Sequence, residues 1–152
     1  MKRDPFHGNW KLNTAASELP FPSPRSVVLT IEVIEDHVRF TENSVSSVGV
    51  PEIARIDARF DNEVHPITGS GIADGCASRR VCLHEWHTRG FKSGESVFSA
   101  TLLMSEDEQS FRECGETTLS DGRRAKVSLL YERWESEPSD KSGQKEWPNQ
   151  AL

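Results

Sequence analysis

Apolar and polar residues alternate with period two over most of this chain, and no ten-residue stretch carries the 3.6-residue period of an amphipathic helix. The clearest run is Val27 to Ile34. There Val27, Leu29, Ile31 and Val33 share one face while Thr30 and Glu32 share the other, with the β-branched enrichment that suits a pleated surface. Glu35-Asp36 reads as a turn, and His37 to Glu42 resumes with Val38 and Phe40 inward, which predicts a hairpin. Ile53 to Asp61 alternates again. Ala54, Ile56, Ala58 and Phe60 fall on one face, and the mixed charges Arg55, Asp57, Arg59 and Asp61 on the other read as a solvated, cross-paired sheet surface.

The remaining segments follow the same logic. Gly8 to Leu12 predicts a first strand with Trp10 and Leu12 on one face, after which Asn13 or Thr14 is placed to cap one short helical turn. Phe21-Pro22-Ser23-Pro24 reads as a connection, because each proline lacks a ladder donor. Asn43 to Pro51 reads as a loop or ragged edge, Glu63 to Ile67 as a return strand, and Gly69 to Gly75 as a flexible loop. Strands are predicted over Val81 to Trp86, Gly90 to Lys92, Glu95 to Met104, Ser110 to Thr118 and Arg124 to Trp134. Lys92-Ser93-Gly94 and Ser120-Asp121-Gly122 supply hairpin turns. Roughly 8–10 short strands joined by hairpins predict an all-β fold, and consecutive hairpins favour an up-and-down antiparallel barrel over a sandwich.

Composition adds limits. The 152 residues suit one domain, here residues 5–135, with a polar tail over 136–152 that is expected to be disordered. Trp147 in that tail reads as an exposed remnant or as a segment that docks on a groove. A net charge of −6 and a pI of about 5.4 argue against a nucleic-acid partner. No apolar run approaches the roughly 18 residues of a membrane span. No apolar region follows Lys2-Arg3, so no signal peptide is read; the expected location is cytoplasmic, or exported had a leader been removed. Cys76, Cys82 and Cys114 are an odd number and are expected as reduced thiols.

Candidate chemistry is sparse. His84, Glu85 and His87 hint at metal ligands, but on one regular strand His84 and His87 point to opposite faces, so no metal site is expected. No nucleophile motif and no phosphate loop occurs, so no catalytic residue and no cofactor is assigned. Glu113 shares a face with Phe111. It is read either as solvent-exposed through strand twist or as a buried carboxyl with a raised pKa.

Four segments in order carry a resemblance: Gly8 to Asn13 with its Gly-x-Trp, Arg25 to Ile31, His65 to Ser70, and Tyr131-Glu132-Arg133. With them the chain resembles the small bacterial lipocalin-like, calycin-type domains of unassigned function, over about residues 5 to 135. His65 departs from the tyrosine usual there, and the Cys76 to Cys82 segment and His84-Glu85-Trp86-His87 are atypical. The resemblance implies that Gly8 and Trp10 close one end of the barrel with a basic side chain of the last strand across the indole. Arg133 is the candidate for that role and Arg123 the runner-up. It also implies a ligand site among inward residues, for which Phe40, Ile56, Phe60, Phe98 and Tyr131 are the candidates.

The function expected on this basis is binding of a small apolar or amphipathic molecule by a monomer or weak homodimer. Two alternatives stay open. One is an isomerase or cyclase using polar groups such as His65, Glu113 or Tyr131, and the other is an interaction module with a filled barrel.

Overall fold

The computed structural model describes residues 3–135, so the tail and Trp147 lie outside the described residues. Ten antiparallel strands form one closed barrel: β1 (Gly8–Glu18), β2 (Ser26–Ile34), β3 (His37–Val45), β4 (Pro51–Arg59), β5 (His65–Thr68), β6 (Gly75–Cys82), β7 (Glu85–Lys92), β8 (Glu95–Met104), β9 (Ser110–Thr118) and β10 (Arg124–Arg133). Each strand pairs with its neighbour in sequence, and β1 closes the ring by pairing with both β2 and β10. The up-and-down barrel is therefore as the hairpin pattern predicts. Among the described residues no helix occurs, so none is long and apolar enough to cross a membrane.

Alternation places the walls. Val27, Leu29, Ile31, Val33 and Val38 are all buried, and the charged face of β4 pairs outward. On that outer face Asp57 accepts from His37 at 2.7 Å, Arg59 meets Asp36 at 3.2 Å and Arg39 meets Glu32 at 3.4 Å. At Lys92-Ser93-Gly94, Ser93 and Gly94 have φ of 51° and 84°, the positive values that a tight hairpin between twisted strands requires.

Three expectations are corrected. The turn after Asn13 is not helical, since β1 runs on to Glu18 through a bulge. Asn13 pairs with Leu130 and Glu18 with Ser128, and the extra residues are held by local bonds. Asn13 Oδ1 accepts from the Ala16 amide, while the Ser17 hydroxyl donates to the Asn13 carbonyl and accepts from the Leu130 amide. Asn13 thus caps a kinked strand, using the bonding it would use at a helix start. Asn43 to Val45 continues β3 rather than forming a loop, because Ser44 and Val45 find partners in both β2 and β4. Val81 to Trp86 is not one strand. β6 ends at Cys82, β7 starts at Glu85, and Leu83-His84 is the turn between them.

One end of the barrel is sealed. Trp10 is fully buried, and Arg133, its cross-strand partner, sets its guanidinium 4.1 Å from the indole ring centre. The same guanidinium donates to the carbonyls of Pro5, His7 and Glu108. Gly8 has φ of 139°, and a Cβ there would lie 2.7 Å from Arg133 Nη1, so the stack needs glycine at this position. Residues 4–7 fold across the opening as a plug. Phe6, fully buried, contacts Trp86 at 4.5 Å and Phe111 at 5.5 Å, and Asp4 is paired with Arg80 at 2.6 Å. The basic side chain of β10 that lies across the indole is Arg133, whereas Arg123 bonds Asp121 in an exposed turn.

Removing the indole leaves a large cavity in a packed end. Trp10→Ala is expected to lower the unfolding free energy by about 3–5 kcal/mol, measured by urea denaturation. An unchanged midpoint would remove the plug role.

Candidate functional site

Beyond the plug the barrel is not filled. A cavity of about 250 Å³ runs from Trp86 to an opening between Leu19, Phe21, Ser70 and Ile72. Sequence explains the space. Inward positions on β4, β6, β7 and β8 are small, namely Ala54, Ala58, Ser78, Thr88 and Ala100, so facing strands do not meet across the lumen. Phe98 leans over Gly90, its cross-strand partner, whose missing Cβ would fall 2.1 Å from the ring. That close approach lets an aromatic lie flat on the wall rather than cross the lumen.

Of the residues expected to line a ligand site, Phe40, Ile56, Phe98 and Tyr131 lie on the cavity wall. Phe60 does not. Just past the end of β4, it turns toward the sealed end, where it contacts Trp86 at 4.9 Å and lies under Arg80 at 5.2 Å. The histidines lie elsewhere. His65 donates to Asp61 at 3.0 Å, His84 to Glu108 at 2.9 Å and His87 to Glu85 at 2.9 Å, so each is spent on its own carboxylate. Among the described residues no three His, Cys, Asp or Glu side chains come together as a metal site. All three cysteines are free thiols, with Cys76 buried and Cys82 and Cys114 exposed.

The ionisable groups of the lumen are acidic. Glu42 of β3 and Glu113 of β9 point inward, and Tyr131 of β10 is 4% exposed with its ring stacked 5.1 Å from Phe111. The two carboxyls are half-buried, with one side of each facing the lumen and the other packed in the barrel wall. Loss of hydration raises Glu113 to about 7, with the Glu42 charge adding to the effect. Burial also raises Glu42, with a further push from Glu52 at the mouth. Burial and then the two carboxylates raise the Tyr131 phenol well above its ordinary value. Near neutral pH the carboxyl pair therefore retains a proton.

Other polar wall groups satisfy one another. Cys76 Sγ lies 3.1 Å from the Thr88 hydroxyl, and the Ser78 hydroxyl donates to Thr88 at 3.4 Å. Glu42, Glu113 and the Tyr131 hydroxyl make no such bond within the described residues. The buried reading of Glu113 is thus the one realised. Glu42 went unnoticed, although continuing the Val38, Phe40 parity by one step places it inside. Phe6 also escaped notice, since an isolated aromatic before the first strand carries no periodic signal.

A larger depression of about 450 Å³ lies on the outer face of β7 to β9. It is open, and its arginines are already paired, Arg79 with His87 and Arg89 with Asn62. The lumen holds the unpaired chemistry.

Compared with known proteins, the chain matches no family model, no curated protein and no solved structure.

The carboxyl pair has a consequence for stability. In the unfolded chain Glu113 ionises near its ordinary value, and in the barrel only near 7, so the folded state holds more protons across that window. Stability is greatest below the window and falls as pH rises through it, by up to about 3 kcal/mol. Melting scans should show a lower midpoint at about pH 8 than at about pH 5, with Glu113→Gln flattening the difference and melting above wild type at the higher pH. A wild-type midpoint that climbs over this interval would contradict the burial of Glu113.

Proposed function

We propose that this barrel binds a small apolar or amphipathic molecule, in the manner of a lipocalin-like domain. The observation that carries the reading is the unfilled lumen, about 250 Å³ in volume and walled chiefly by apolar side chains. A native interior is normally close-packed, and a gap of this size removes dispersion contacts from every residue around it. Small residues at successive inward positions keep the space open, and one end is sealed while the other opens to solvent, which is the shape of a ligand pocket. Apolar groups at the open end support the same reading. Phe21 and Ile72 line the cavity and are exposed, and at a mouth they suit the passage of an apolar guest.

Enzymatic turnover is a second reading, favoured by a carboxyl held near neutrality close to a phenol inside the lumen. It differs from simple binding in requiring the bound molecule to change.

Native mass spectrometry of protein purified from its own source is expected to show a retained small molecule, and a chemically altered companion species would favour turnover. Ala54→Phe places a ring in the lumen and is expected to weaken uptake of a neutral probe such as octanol by about tenfold, corresponding to about 1.4 kcal/mol, with the fold retained. Isothermal calorimetry checks it. Absence of any binding by wild type would end the proposal.

A further inference from the structure

We infer that the molecule held in the lumen carries a protonated amine on an apolar body, with the ammonium seated between Glu42, Glu113 and the Tyr131 hydroxyl. This deepens the proposal that the barrel is a ligand pocket, and it stands on the makeup of the wall. Four carboxylates, Glu42, Glu52, Glu113 and Glu116, line the cavity or its mouth, and among the described residues no lysine, arginine or histidine does. Glu116 is turned to Arg124 at 3.5 Å, and Glu52 accepts from the Gly71 amide at the rim. Among the described residues the two deepest carboxyls have neither a cation nor a hydrogen bond.

Unpartnered carboxyls inside an apolar barrel are unfavourable to the fold, and apolar side chains at these two positions would relieve that. The neighbouring Cys76, Ser78 and Thr88 side chains bond one another, whereas the two carboxyls find no such partner among the described residues. Glu42, Glu113 and Tyr131, the last nearly fully buried, are left to be completed from outside. A carboxylate ligand would meet like charge, and an alcohol offers one donor to three acceptors. A primary ammonium offers three N–H donors and the opposite charge. A bare metal ion would leave the apolar wall without a role and finds no cluster of three ligating side chains.

The groups facing the pair are themselves acidic: Tyr131 from β10 beside Glu113, and Glu52 from β4 beside Glu42. On β8 and β10 the direct cross-strand partners of Glu113 are Leu102 and Leu129, which are neutral. Among the described residues no basic group on the cavity wall competes with the ligand. Binding near or below neutral pH must expel the proton that the pair retains, so amine affinity rises as pH rises through about 7 and proton release accompanies binding below it.

The test is a calorimetric comparison of octylamine, octanol and octanoate, which share one apolar chain, on the full-length protein. Octylamine is expected to bind at least about tenfold more tightly than octanol, with octanoate weakest. In E42Q/E113Q the amine preference should shrink to about threefold or less while octanol still binds. Titrations near pH 6.5 in two buffers of different ionisation heat should show protons released with wild type and not with the double variant. Equal affinity for octylamine and octanol, or a preference for octanoate, overturns the amine inference while leaving the pocket intact. An undiminished amine preference in E42Q/E113Q overturns the assignment to these carboxyls. If none of the three binds, the pocket reading falls as well.

Discussion

The stack of Arg133 on Trp10 is the contact on which the closed end depends. An antiparallel ring has no free edge, so the last strand must meet the first. Here the meeting is made at the pair Trp10 and Arg133. A buried guanidinium is tolerable only when its donors and its face are both occupied. Its face lies on the indole and its N–H groups reach the carbonyls of Pro5, His7 and Glu108. One side chain thus ties β10, the residues before β1 and the turn between β8 and β9. Those ties hold the plug, and the plug carries Phe6 into the aromatic cluster of Trp86 and Phe111.

A sealed and well-packed end makes an unpacked middle affordable. The aromatic cluster supplies dense burial where the strands converge, while the inward alanines, serines and threonines leave the lumen open. The number of strands contributes too. At roughly eight strands an interior is just filled by side chains, and ten strands widen it. The seam at β5 is the thinnest part of the ring, pairing with β4 only at Thr68 and Ile67 and with β6 only at His65 and Pro66. It borders the mouth through Ser70 and Ile72, so the part of the wall with the fewest backbone bonds adjoins the opening.

Much of this was legible in the chain because a strand of period two is a local property. β8 and β9 are found at the predicted boundaries, and β2 begins one residue before its predicted start. Failures arose where local rules gave two answers. Asn13 bonds the backbone three residues on whether it caps a helix or kinks a strand, and only pairing with β10 decides. Between Gly69 and Trp86 the glycines and short polar residues masked β6, and pairing with β7 from Gly75 to Cys82 supplies what local pattern did not. Phe60, one residue past β4, follows the inward parity of Ile56 and Ala58. Face alone does not say how far along the barrel a side chain lies, and Phe60 sits in the plug rather than on the cavity wall.

The carboxyls are where sequence pattern and stability part company. By the pattern of Val38 and Phe40, position 42 ought to be apolar, and by that of Phe111, so should position 113. Two violations on opposite strands that meet in one lumen, the Glu42 charge adding to the rise of Glu113, are not independent accidents of surface composition. Each alone is a local conflict, and together they form one acidic focus in an otherwise apolar space. A fold that seals Trp10 with care and then leaves Glu42, Glu113 and the Tyr131 hydroxyl without a hydrogen bond among the described residues has brought unmet bonding together in one place. The open end leads to that place, and a cation is the complement we infer for it.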